Sequence, residues 1–120
     1  GTPFSHGPRS TNAWRVYSAL SGESLPDEMM LRQISEAPPV PFTSVYSKTD
    51  GVVAWPASIQ KPDAGNTNIE NIEVFASHLG IGANPAAWFA VADRLAQPHG
   101  TWQPFSPPLT ARFLFGATGR

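Results

Sequence analysis

Residues 44–80, SVYSKTDGVVAWPASIQKPDAGNTNIENIEVFASHLG, decide the fold. The stretch reads as strand, acidic turn, connection, strand, histidine turn. Val40, Phe42, Val45 and Tyr46 form a short β-favouring run, which Ser47, Lys48, Thr49, Asp50 and Gly51 end. Ile72, Val74 and Phe75 form a second run, which Ala76, Ser77, His78, Leu79 and Gly80 end. Turn formers bound both, as they bound strands generally. The connection is long enough for a crossover, and strands joined that way are normally parallel. Parallel strands point their C-terminal ends to one edge of the sheet. Asp50 and His78, 28 residues apart, each sit just past such an end. Open α/β sheets bind ligands at that edge. A carboxylate and an imidazole placed there suggest two parts of a catalytic triad and leave its nucleophile to be found.

Composition bounds the rest. A chain of 120 residues holds one domain. Its 41% apolar residues suffice for a core. Charged residues make up 14%, below the usual ~25%. With a formal net charge of −1, nothing points to nucleic acid or to an anionic membrane surface. Thirteen prolines are about twice the ordinary share of ~5%, so much of the chain is loop. The absence of cysteine rules out a disulfide framework and a thiolate zinc site. No apolar run approaches the ~20 residues of a transmembrane helix. The chain opens on GTPF, with neither an initiator Met nor a signal-peptide pattern, as a processed, cut or incomplete start would. The compartment stays open, with the cytoplasm as the default.

Three segments emerge along the chain. Residues 1–39 are loop and two helices, a cap-like arrangement. Thr11 or Asn12 caps the first helix, whose partly apolar face carries Trp14, Val16, Tyr17 and Leu20. Pro26, Asp27 and Glu28 start the second, with Met29, Met30, Leu31 and Ile34 as its apolar residues. Residues 40–97 are the strand–acid–strand–histidine–helix core. A short helical piece is expected around residues 56–60. The clearest helix has Asn84 as cap, Pro85 first, and Trp88, Val91, Ala92 and Leu95 at helical spacing. Residues 98–120 are a tail rich in proline and aromatics, in which residues 110–115 form a last strand or a docking segment. Two parallel strands do not make a sheet buried on both faces, as parallel sheets need. More sheet is therefore expected on residues beyond these 120, in an upstream part of the same polypeptide or in a second chain.

In a serine-hydrolase α/β fold the triad follows the chain order nucleophile, acid, histidine. Asp50 and His78 fit the last two places. His78 would take the proton of a serine hydroxyl and return it to the leaving group. Asp50 would hold the imidazole tautomer and stabilise its charge. Gly51, and Gly80 beyond the imidazole, would let the backbone turn sharply. The bland alternative is that Asp-Gly is a common turn pair and a lone loop histidine is ordinary.

The stretches PFTSVYSKTDGVV and NIEVFASHLGIGANPAAWFAVADRLAQP resemble the C-terminal half of a bacterial α/β-hydrolase of the lipase/esterase type. There a strand ending in Tyr-Ser precedes the acid and a Gly. A later Val-x-x-Ser-His-x-Gly stretch carries the triad histidine, and an Asn-Pro-capped helix with Ala-Asp-Arg-Leu follows. The opening GTPF and the Asn12-Ala13-Trp14-Arg15 helix resemble the segment after the strand that succeeds the nucleophile helix. The likeness extends to about Phe105. It implies a single partial α/β-hydrolase domain over residues 1–120, with parallel strands, crossover helices and an incomplete sheet. It also implies Asp50 as triad acid, His78 as triad histidine, and hydrolysis of carboxylic esters or lipids through an acyl-serine, with no metal or organic cofactor.

The departure from that pattern is the nucleophile. No Gly-x-Ser-x-Gly elbow occurs in the sequence, and no His-Gly-Gly-Gly oxyanion stretch. Ser24, in Gly22-Glu23-Ser24-Leu25-Pro26, follows an expected helix rather than a strand. Ser5 lacks the spacing, and Ser77 lacks the strand context. Catalytic serine and oxyanion donors are thus expected from an upstream half-chain, a homo-oligomer is the other partner considered, and the 120 residues alone are expected to turn over little substrate. Phe4 and Trp55 lie near the predicted active edge as candidate pocket residues, with core packing as the plainer role. Asp63 is the next candidate acid. His6 and His99 show no metal-ligand spacing with His78. The alternative reading is a non-catalytic binding or assembly module that keeps hydrolase-like strands.

Overall fold

The computed structural model describes residues 36, 38–62 and 64–119. Three strands form one mixed sheet in the order β1-β2-β3: β1 is Phe42–Tyr46, β2 Ile69–Val74 and β3 Phe115–Gly119. β1 and β2 run parallel, from Phe42 opposite Ile69 to Tyr46 opposite Glu73. β3 returns antiparallel to β2. The sheet is therefore not all-parallel, and the tail supplies a strand that begins only at Phe115, after a 3-10 turn at Arg112–Leu114. Between Ile72 and Val74, β3 carries one residue more than β2, a bulge that takes in Gly116.

Residues opposite each other in a ladder share a face. Thr43, Val45, Glu70, Ile72 and Val74 face the helix α1, Pro85–Leu95. Ile72, Val74, Phe105 and Phe115 close a core with Ala86, Ala87 and Ala90 of that helix. The other face carries Ser44, Tyr46, Asn71 and Glu73. All six residues of the central strand β2 are buried, three of them polar. Those polar groups obscure the strand in the sequence, whose apolar run starts three residues late. Phe75, expected within the strand, lies past its end and is exposed.

The connection from β1 to β2 contains no α-helix among the described residues, only a 3-10 turn at Trp55–Ser58. That turn is the short helical piece expected around residues 56–60, whereas the crossover helices implied by the hydrolase resemblance have no counterpart in this connection. Instead the chain is tied to the sheet by buried polar bonds. The Asn71 amide accepts from the Gln60 N–H at 2.9 Å and donates to the Gln60 carbonyl at 2.8 Å. The Ser44 hydroxyl donates to the Ser58 carbonyl at 2.6 Å. Satisfied side-chain bonds do here what an apolar helix face does elsewhere.

α1 starts as its sequence says. The Asn84 side-chain oxygen accepts from the N–H groups of Ala86 and Ala87, and Pro85 stands first. Its buried face is a different one from the apolar stripe. Ala90 is fully buried, whereas Trp88 is 64% and Leu95 81% exposed. Alanines let the helix approach the sheet closely, and the bulky stripe points away from the described core. Arg94, off the stripe, turns inward. Its guanidinium meets the buried Glu70 carboxylate at 3.0 Å and bonds the Gln103 carbonyl and Asp93. Glu70 also accepts from Thr43 Oγ1 at 2.9 Å and from the Phe105 N–H at 2.7 Å. One carboxylate thus joins β1, β2, α1 and the tail. Among the described residues no helix is long and apolar enough to cross a membrane. The two expected helices of residues 1–39 lie outside the described residues.

Candidate active site

The parallel ladder ends at Tyr46 and Glu73, and the turns beyond it meet. Asp50 Oδ2 lies 2.9 Å from His78 Nδ1. The carboxylate is 2% exposed and the imidazole 35%. Asp50 Oδ1 accepts from the N–H groups of Val52 and Val53 at 2.9 and 3.0 Å. Those bonds fix the carboxylate plane within its own turn. Burial by itself would push the Asp50 carboxyl up. The Val53 N–H, the His78 ring and the Val52 N–H outweigh it and hold the group below the usual carboxylate range. Ionised, Asp50 only accepts, so the shared proton sits on His78 Nδ1. That tautomer leaves Nε2 with its lone pair, able to take a proton from a neighbouring hydroxyl.

The histidine turn is built by its own backbone. Ser77 Oγ accepts from the Gly80 N–H at 3.1 Å, and the Ser77 carbonyl from the Ile81 N–H at 3.0 Å. A Cβ on Gly80 would lie 2.9 Å from Ser77 Oγ, which would have to turn away, but the φ of Gly80 is an ordinary −76°, so this turn does not use glycine's conformational freedom. The expectation at Gly51 fails. Its φ is not left-handed, and a Cβ would meet no atom within 4 Å, so the acid turn does not require glycine.

Hydroxyls connect the two turns. Ser47 Oγ lies 2.9 Å from Thr49 Oγ1 and accepts from the Ala76 N–H at 3.2 Å. Thr49 Oγ1 donates to the Ala76 carbonyl at 2.9 Å. Beside them Lys48 pairs with the buried Glu73 at 2.8 Å and lies over the Trp55 ring. Burial, and then the Glu73 carboxylate, push the nearby Tyr46 phenol up. In the sequence Ser47, Lys48 and Thr49 look like ordinary turn formers. Their signal was three polar side chains in succession directly before the acid.

The remaining candidates separate. Trp55 stacks on Tyr46 with ring centroids 6.1 Å apart, on the sheet face away from α1. It does not line the groove that holds His78. That groove, about 630 Å³, runs between β1 and α1, with Val45, Ile81, Trp88 and Val91 along it. Trp88, one of the apolar residues at helical spacing, is thus a groove wall. Ser77 is engaged as the cap of its turn. His99 lies beside Pro41 and Asn68, which precede β1 and β2, and so at the other end of the strands from Asp50. Among the described residues no group of three His, Cys, Asp or Glu is placed to hold a metal. Phe4, Ser5, His6, Ser24 and Asp63 lie outside the described residues. No family model, curated protein or solved structure matches the chain.

Proposed function

We propose that Asp50 and His78 are the acid and the base of a serine-type hydrolase acting on carboxylic esters, its nucleophilic serine supplied from outside these 120 residues. The observation that carries this reading is the Asp50–His78 bond, made by a buried, ionised carboxylate to Nδ1 of a half-exposed imidazole. In the reaction, Nε2 takes the serine proton as the hydroxyl attacks the ester carbonyl. It returns that proton to the departing alcohol and then activates water against the acyl-serine. Asp50 stays ionised and holds the ring. The resemblance of the acid and histidine stretches to lipase/esterase α/β-hydrolases supports the substrate class.

The test is made on the longer polypeptide read from the encoding gene, with an in-frame Gly-x-Ser-x-Gly after a predicted strand as the first expected finding. Asp50→Asn should then lower ester turnover by about 10⁴-fold with the fold intact, as a wrong-tautomer substitution does. An unchanged rate would place the acid elsewhere. Turnover by the 120-residue chain alone, lost in His78→Ala, would mean that the nucleophile lies within it. A second reading, a non-catalytic assembly module, is favoured by the exposed apolar side chains of Trp88, Leu95 and Phe113. It predicts no fluorophosphonate labelling of the longer polypeptide, whereas an activated serine takes the label.

A further inference from the structure

We propose that Ser47 and Thr49 are positioning residues, whose hydroxyls hold the acid turn in register with the histidine turn and so maintain the Asp50–His78 bond. The inference takes its catalytic meaning from the function proposed above, but the bond can be read without any reaction. The last paired residues of the parallel ladder are Tyr46 and Glu73. Asp50 and His78 lie four and five residues further on, where strand pairing no longer sets the distance between the two turns. What spans the gap is a closed ring of hydrogen bonds.

Counting protons gives the direction of each bond. A hydroxyl has one hydrogen to donate and two lone pairs. Thr49 Oγ1 spends its hydrogen on the Ala76 carbonyl. The Ser47 hydroxyl must therefore be the donor in the Ser47–Thr49 bond. Its lone pairs accept the N–H groups of Ala76 and Thr49, both at 3.2 Å. The ring runs from the Ala76 N–H to Ser47, to Thr49, and back to the Ala76 carbonyl. Both peptide groups of one residue, two before His78, are thus held by side chains that flank Lys48, just before Asp50. Ser47 is buried, so its bonds do not compete with water. The Lys48–Glu73 ion pair reaches only to the last ladder residue, and its ammonium is about half exposed and screened.

The experiment measures the tautomer of His78 by long-range proton–nitrogen NMR on the full chain at alkaline pH. The wild type should show mainly the Nδ1–H form. Thr49→Val breaks the ring at an exposed position, and Ser47→Ala breaks it at the buried one. Each removes one hydrogen bond between the two turns and should lower the ratio of Nδ1–H to Nε2–H about fivefold. Thr49→Ser keeps the hydroxyl and should restore the wild-type ratio. Thr101→Val, which removes a hydroxyl bond from the distant turn at Pro98, should leave the ratio unchanged even if it lowers stability. An unchanged ratio in a folded Thr49→Val would overturn the proposal, whatever the longer polypeptide does to esters. A shifted ratio with Thr49→Ser rescue would support it even if ester hydrolysis is never found.

Discussion

Arg94→Met isolates the polar joint under the sheet. The substitution keeps an unbranched apolar stem and removes the guanidinium. Four interactions go with it: the 3.0 Å bond to Glu70, the bonds to Gln103 and Asp93, and the stacking over the Phe105 ring at 5.4 Å. Glu70 remains, 5% exposed, with Thr43 Oγ1 and the Phe105 N–H as donors but without its cation. Stranding a buried charge in this way costs about 3–5 kcal/mol, well above the ~1 kcal/mol ceiling of a surface pair. Arg94 is itself 12% exposed, which favours the lower figure, about 3 kcal/mol. At roughly 2.1 cal/mol/K per residue, a 120-residue chain has an unfolding entropy of about 0.25 kcal/mol/K, so Tm should fall by about 12 °C. Urea unfolding followed by circular dichroism reads the same loss at constant temperature. The double variant Arg94→Met/Glu70→Gln, without the stranded charge, should recover part of it, and the cycle should give a coupling above ~1 kcal/mol. A single-variant loss under ~1 kcal/mol would refute the reasoning, because Glu70 would then be solvated enough to do without its partner.

Three further outcomes are expected. The Asp50 carboxyl is held below its ordinary range, so the unfolded chain takes up its proton at a higher pH than the folded one. Its contribution to stability is present above about pH 4 and is lost as pH falls through the folded value; urea midpoints should drop in acid, and Asp50→Asn should flatten that slope. On α1, Leu95→Lys should change stability by no more than ~0.5 kcal/mol while Ala90→Leu costs about 1–3, and equal losses in thermal melts would put the wrong face of the helix on the sheet. Asn84→Ala removes the cap of α1 and the 2.9 Å bond from its amide to the Phe75 carbonyl. It should cost about 1–2 kcal/mol and speed amide exchange in the first helical turn beside His78.

The acid–histidine pair and the helix start were legible in the sequence because they depend on local chemistry. Turn residues ended β1 before Asp50. Asn84 and Pro85 announced α1, and the 28-residue spacing fitted one crossover. Other features depend on what the chain meets from far away. Glu70, Asn71 and Glu73 look like solvent-facing residues until the partners that bury them are known. The apolar stripe of α1 predicts a helix, but not which side the sheet will take. Only the tertiary structure decided that alanines face inward and Trp88 outward, because close approach of helix to sheet favours small side chains over large ones. It also decided that the last strand runs antiparallel and that Trp55 belongs to the face away from His78. The sequence by itself determined which residues meet at the edge, since strand direction carries Asp50 and His78 there. The distance between them came from tertiary contacts, because beyond the last ladder pair it rests on side-chain bonds that join residues far apart in the chain.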